Sequence, residues 1–144
     1  NILYEYWGNE TATKDAIRDG WFYTGDIGYQ DEDHDLWIND RKKDVVISGS
    51  ENIYPAEIEA FIHEMVDITD GVIVGKPDEK WGEVPVAVVI KEKGADLSEI
   101  DFLERFQGQL ARYKHPKAVY FVEDLPRTAM GKVLKYEVRK LVVE

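Results

Sequence analysis

No cysteine occurs among the 144 residues. That excludes disulfides, thiolate nucleophiles and Cys-based zinc sites, and it fits a reducing compartment, so the expected location is cytoplasmic. Positive charge is also scarce. Lys and Arg total 18 against 29 Asp and Glu, a formal net charge of −11. General binding to nucleic acid or to an anionic membrane needs the opposite field. No apolar run approaches the roughly 18–20 residues of a transmembrane helix, and residues 1–20 contain no signal-peptide apolar region. The first residue is Asn, which points to a processed chain or a piece of a longer one; the second is the expectation.

Core-forming residues are present. Hydrophobic residues make up 44% of the chain and aromatics 12%, enough for one ordinary domain or a small domain with an appendage. NETATKDAI (9–17) reads as a short capped helix before Gly20. Trp21–Thr24 and Leu36–Asn39 read as strands that pair as a hairpin, with the turn at DEDHD (31–35). An isolated hairpin is marginal in water, so residues 1–40 are expected to lean on something else.

A charged junction, Arg41–Asp44, marks the boundary. After it come a strand at Val45–Ser48 and a Gly-Ser turn. A helix begins at Pro55, with Ile58, Phe61, Ile62 and Met65 on one face. Gly71–Asp78 reads as a strand. Val86–Ile90 reads as a central strand, apolar on both faces, with Pro85 at its start. Ser98 caps a second helix with a stripe of Phe102, Leu103, Phe106 and Leu110. Ala118–Glu123 is a further strand, and Leu134, Val138 and Leu141 mark a last helix. The pattern predicts an α+β fold: a small, mainly antiparallel sheet with packed helices, preceded by a hairpin segment.

Most signatures of known chemistry fail here. A P-loop needs GxxxxGK[ST], but Pro126 takes the first glycine position and Val133 follows Lys132. His34, His63 and His115 lack metal-ligand spacing, and Asp31–Asp35 lacks EF-hand spacing. YTGD (23–26) stands out: Asp26 can accept two hydroxyl hydrogen bonds from a ribose, although, taken alone, a strand-ending turn explains it more simply. Arg41 can grip a ribose or phosphate oxygen, or form a surface ion pair.

Four segments taken together are specific. GWFYTGDIG (20–28), DRKKDVVISGSENIYPAEIE (40–59), DEKWGEVPVAVV (78–89) and YKHPKAVYFVEDLPRTAMGKVLK (113–135), in this order and spacing, resemble the C-terminal part of adenylate-forming enzymes and, more narrowly, of acyl-CoA synthetases. The resemblance implies a two-step reaction. A carboxylate attacks magnesium-bound ATP to give an acyl adenylate, and the coenzyme A thiol then displaces AMP. It also implies that residues 1–42 end a large AMP-binding domain and that residues 43–144 form a mobile small domain, with the rest of the large domain as partner. Such a fragment is expected to be inactive alone.

Carried over position by position, the resemblance makes Asp26 the ribose ligand and Arg41 a nucleotide contact. It makes Lys43 the hinge and Lys132 the lysine that enters for adenylation. Gly49 and Ser50, with Trp81, Tyr113, His115 and Lys117, match positions that touch coenzyme A in some relatives. Ser50 stands where the family usually has a second glycine, and Asp40 where many relatives have Gly. Two alternatives remain: a domain that loads the pantetheine of a carrier protein, and a free-standing binding domain without catalysis. The carboxylate itself, whether fatty, aryl or short-chain, is not legible.

Overall fold

The computed structural model describes residues 3–143. The chain divides into two compact units between Lys43 and Asp44.

The first unit has no core of its own; none of its described residues is buried. Helix α1 (Glu10–Ala16) starts at Asn9, whose side chain accepts a hydrogen bond from the Ala12 amide at 3.0 Å. Strands β1 (Ile17–Arg18) and β2 (Trp21–Phe22) are joined by Asp19 and Gly20, both at positive φ, 50° and 80°. This Asp-Gly link is a favoured two-residue hairpin turn. Strand β3 (Asp26–Gln30) pairs antiparallel with β4 (Leu36–Arg41) around the acidic turn. The expected hairpin therefore differs. Leu36–Asn39 pairs with the DIGYQ segment rather than with Trp21–Thr24, and Trp21–Phe22 pairs backwards with Ile17–Arg18. In both cases the nearer neighbour wins, because the shorter loop costs less entropy to close. Trp7, Trp21 and Trp37 are all exposed in this unit.

The second unit is built on two long strands, β7 (Ile68–Asp78) and β8 (Gly82–Lys91), paired antiparallel along their whole length. Before them come β5 (Val46–Ser48), β6 (Glu51–Ile53) and helix α2 (Pro55–His63). After them come α3 (Glu99–Glu104), a 3₁₀ turn at Arg112–Lys114, β9 (Val119–Phe121) and α4 (Lys135–Val143). The sheet order is β6-β5-β8-β7, with β9 lying parallel against β8. The chain is α+β and mainly antiparallel, as expected.

Successive strand residues point to opposite faces, and here both faces are covered. Ile73, Ala87 and Val89 join Ile58, Ile62, Phe102 and Phe106 in one apolar layer. Val72, Val74, Val86 and Val88 join Leu125, Val138 and Val142 in the other. This is why residues 86–90 show no alternation. Phe61, Phe102 and Phe106 meet edge to face, with ring centroids 5.2 and 5.3 Å apart.

The register of β7 shifts between Ile68 and Asp70, leaving Thr69 as an extra residue. The shift lets Ile68 join the layer under α2 although Val72 and Val74 face the opposite layer. Three local readings need correction. Pro85 lies inside β8 rather than at its start. Leu141 is exposed and Val142 takes its core position, because i, i+4 spacing from Val138 keeps the buried stripe narrow. Strand β6 was too short to show in the pattern. No helix among the described residues is long and apolar enough to cross a membrane.

Two predictions follow from this packing. Phe106 is fully buried, so Phe106→Ala is expected to cost about 3–5 kcal/mol in urea unfolding. The hydrogen-bonded Arg105 guanidinium holds the Asp67 carboxyl below its usual range, with both contacts at 2.6 Å. A lowered folded value means stabilisation that is complete above the ordinary carboxylate value of about 3.9 and lost as pH falls through the folded value. The melting-temperature gap between wild type and Asp67→Asn should therefore be widest near neutral pH and close in acid.

Candidate functional site

The candidate residues fall into three groups, one in the first unit and two in the second. In the first unit, Asp26 opens β3 and Arg41 closes β4, and the two are register partners. Arg41 Nε donates to an Asp26 carboxylate oxygen at 2.7 Å, and its terminal nitrogen donates to the Thr24 carbonyl at 3.2 Å. Thr24 Oγ1 accepts from the Asp26 amide. Gly25, at φ 78°, makes the bend, and its carbonyl accepts from the Lys42 amide at 2.8 Å. Thr24, Gly25, Arg41, Lys42 and Lys43 line a recess of about 560 Å³. Another recess, about 540 Å³, has Asp26 in its wall. The surface ion pair that explains Arg41 most simply thus joins it to the other nucleotide candidate.

The second group is the tip that carries Lys132. Residues 127–133 fold back on themselves, bridged at Arg127 and Val133. The Gly131 amide donates to the Thr128 carbonyl at 2.9 Å, and the Thr128 amide donates to the Lys132 carbonyl at 2.8 Å. Gly131 has φ 84°, the left-handed position that a three-residue hairpin loop demands. This is the structural reason for the Gly-Lys pair. The tip is pinned from below. Arg127 donates to the Gly131 carbonyl at 2.8 Å and forms an ion pair with Asp70. His63, at the end of α2, meets the other Asp70 oxygen at 3.0 Å. Burial pushes the Asp70 carboxyl up, but hydrogen bonds from His63 and Arg127 outweigh it and hold the group below the usual range. Lys132 itself stands in solvent.

The third group gathers where β7 turns into β8. Gly49 sits at φ 64°, and its amide donates to the Trp81 carbonyl at 2.7 Å. A Cβ on Gly49 would lie 3.0 Å from the Trp81 ring. The Trp81 amide is held by Asp78 at 2.8 Å, and the Lys80 ammonium lies 4.7 Å from the ring centroid. Trp81 is exposed, so plain core packing does not account for it. Ser50 is exposed beside Gly49.

The other coenzyme A candidates divide. Tyr113 and Lys117 are exposed. His115 turns inward: its Nε2 donates to the Leu110 carbonyl at 2.8 Å, and its ring lies against Phe106. Lys114 between them is committed to Glu57 at 2.6 Å, a hydrogen bond that raises its pKa.

Sequence reasoning did not find the Asp70–Arg127–His63 cluster. Arg127 lies 57 positions from Asp70, and no local pattern links them. The only local signal was Arg127 inside the lysine motif.

Comparison with known proteins supplies the context. The family described as AMP-binding enzyme C-terminal domain matches residues 57–132. The indoleacetate–CoA ligase of Aromatoleum aromaticum is 50% identical over 142 residues, 99% of this chain and 28% of that protein. ATP-bound MatB from Rhodopseudomonas palustris superposes with a TM-score of 0.88 at 43% identity, covering 98% of this chain and 28% of that one. The o-succinylbenzoate CoA synthetase MenE of Bacillus subtilis, in complex with the acyl-adenylate intermediate OSB-AMP, gives 0.89 at 34% identity, over 96% of this chain and 28% of that one. The chain thus spans less than a third of the length of these relatives. With its match extending over more than half of the sequence, this chain belongs to the family of AMP-binding enzyme C-terminal domains.

Proposed function

We propose that this chain forms the small-domain part of an AMP-forming acyl-CoA ligase and that it serves the two half-reactions with different ends of one strand. The observation that carries this reading is a separation. The Lys132 tip is anchored at Asp70, near the start of β7, and the Gly49–Trp81 contact is anchored at Asp78, at its end. Eight residues of extended strand span ~27 Å, at ~3.4 Å each. Two groups that far apart do not reach one reacting carbon together. They reach it in turn, if the unit rotates between steps.

In the first step a carboxylate oxygen attacks the α-phosphorus of ATP, which arrives as its magnesium complex. The bond to the bridging oxygen breaks, and pyrophosphate leaves with the electron pair. Lys132 supplies a mobile point charge where negative charge gathers on the phosphate and carboxylate oxygens. Asp26 and Arg41, lining the recesses of the first unit, serve the ribose and phosphate of the nucleotide. In the second step the thiol of coenzyme A, its proton passing to solvent or a base, attacks the acyl carbon. AMP departs with the electron pair of the broken C–O bond. Gly49 leaves room for the thiol arm, and Trp81 with Lys80 offers a ring and a cation to the nucleotide end of coenzyme A. Lys43, where the compact units divide, serves as the hinge. The named relatives being CoA ligases favours free coenzyme A over a carrier-bound pantetheine as acceptor.

Two substitutions in the intact ligase test the division of labour. Lys132→Ala should lower carboxylate-dependent ATP–pyrophosphate exchange by roughly 10²–10³ while conversion of pre-formed acyl adenylate to thioester survives. Gly49→Ala should do the reverse. Its Cβ would stand 3.0 Å from the Trp81 ring, in the corner proposed for the thiol arm, and a thioester step slower by about tenfold, ~1.4 kcal/mol of barrier, is expected with exchange preserved. Loss of both steps in both variants would defeat the reading.

A further inference from the structure

We propose that Asp70 is a positioning residue for Lys132, acting through Arg127, and that the one-residue bulge in β7 allows this without taking Ile68 out of the layer beneath α2. The inference rests on the assignment of Lys132 to the first half-reaction. The Lys132 tip is a single turn of chain, with Met130 and Lys132 both in solvent. Its internal hydrogen bonds set its shape but not its direction. Direction comes from Arg127, whose planar fork reaches two targets at once: the Gly131 carbonyl on the tip and the Asp70 carboxylate on the sheet. Asp70 is in turn fixed by His63 at 3.0 Å and by its neighbour's amide, Gly71 N, at 2.7 Å. Three elements therefore hold the tip: the end of α2, the edge of β7 and the hairpin itself.

The bulge reconciles this anchor with the packing beneath α2. In an unbroken strand Ile68 and Asp70, two residues apart, would share a face; the register shift at Thr69 puts them on opposite ones. With it, Ile68 packs beneath α2 while Asp70 meets Arg127. A lysine has four rotatable carbons of its own, so a loose backbone beneath it would spread its charge over several ångströms. Displacements of about 1 Å are enough to slow a reaction by up to ~10²-fold.

The test uses exchange and thioester assays on the intact ligase carrying Asp70→Asn, Arg127→Ala and Asp70→Glu. Asp70→Asn and Arg127→Ala should each lower kcat for exchange about ten- to a hundredfold. KM for ATP and the thioester step should stay unchanged, and Asp70→Glu should recover part of the loss. Combined with Lys132→Ala, Asp70→Asn should add nothing further, because both act on one group. An equal loss in both half-reactions, or a full additional loss on the Lys132→Ala background, would overturn the proposal. If Lys132→Ala alone leaves exchange intact, the assignment of Lys132 has failed instead. Amide hydrogen exchange at Thr128 and Lys132 then judges the mechanical link. Faster exchange in Asp70→Asn supports it, and unchanged protection overturns it.

Discussion

The pairing of β7 with β8 is the constraint on which the second unit depends. Eleven and ten residues of strand lie side by side with both faces covered. A ribbon buried on both sides has no place for polar side chains along its middle, so its centre reads as an unbroken apolar run. Where a helix crowds close, the ribbon thins: a Cβ at Gly71 would lie 2.8 Å from Ile62. Polar chemistry is confined to the two ends and the outer edge. The candidate groups of this unit appear there, at Asp70 and at Asp78 to Trp81.

The outer edge of β7 shows how the fold turns a liability into an anchor. An open strand edge presents unpaired amides. Glu59 of α2 reaches across to accept from the Ile73 amide at 2.8 Å and is itself paired with Lys135 at 2.7 Å. One turn further along α2, His63 meets Asp70, which binds Arg127. Lys135 and Arg127 flank the Lys132 tip in sequence, so the segment carrying the lysine is tied on both sides to the same edge. Both pairs are at least partly shielded from solvent, and their geometric effect is to fix where a short loop points.

How much of this was legible follows from the range of each interaction. The α2 stripe of Ile58 and Ile62, with Met65 buried beside them but past the end of the helix, was readable, because helical spacing is local and the buried face matches it. So was the Ser98 cap, whose hydroxyl oxygen accepts from the Asp101 amide at 3.2 Å. The double burial of residues 86–89 was readable for the same reason. The Asp19-Gly20 turn carried a local signal that was passed over in favour of a longer-range strand pairing. Leu141 was misplaced because two apolar neighbours, Leu141 and Val142, compete for one narrow stripe. At the candidate sites, Gly131 and Lys132 were visible as a motif, whereas the clamp beneath them was not. It joins α2, β7 and the hairpin through side chains that only the finished sheet brings together.

The placement of the tryptophans has a spectroscopic consequence. All four, Trp7, Trp21, Trp37 and Trp81, lie outside the two apolar layers, which are filled by phenylalanine and aliphatic side chains. Indole emission therefore reports on the surface and hardly on the packing of the core. Trp81, with a cation over its ring beside Gly49, is the fluorophore nearest the proposed thiol-arm site. With the other three replaced by phenylalanine, its emission becomes a local optical readout of whatever enters that corner, separate from the folding of the sheet beneath it.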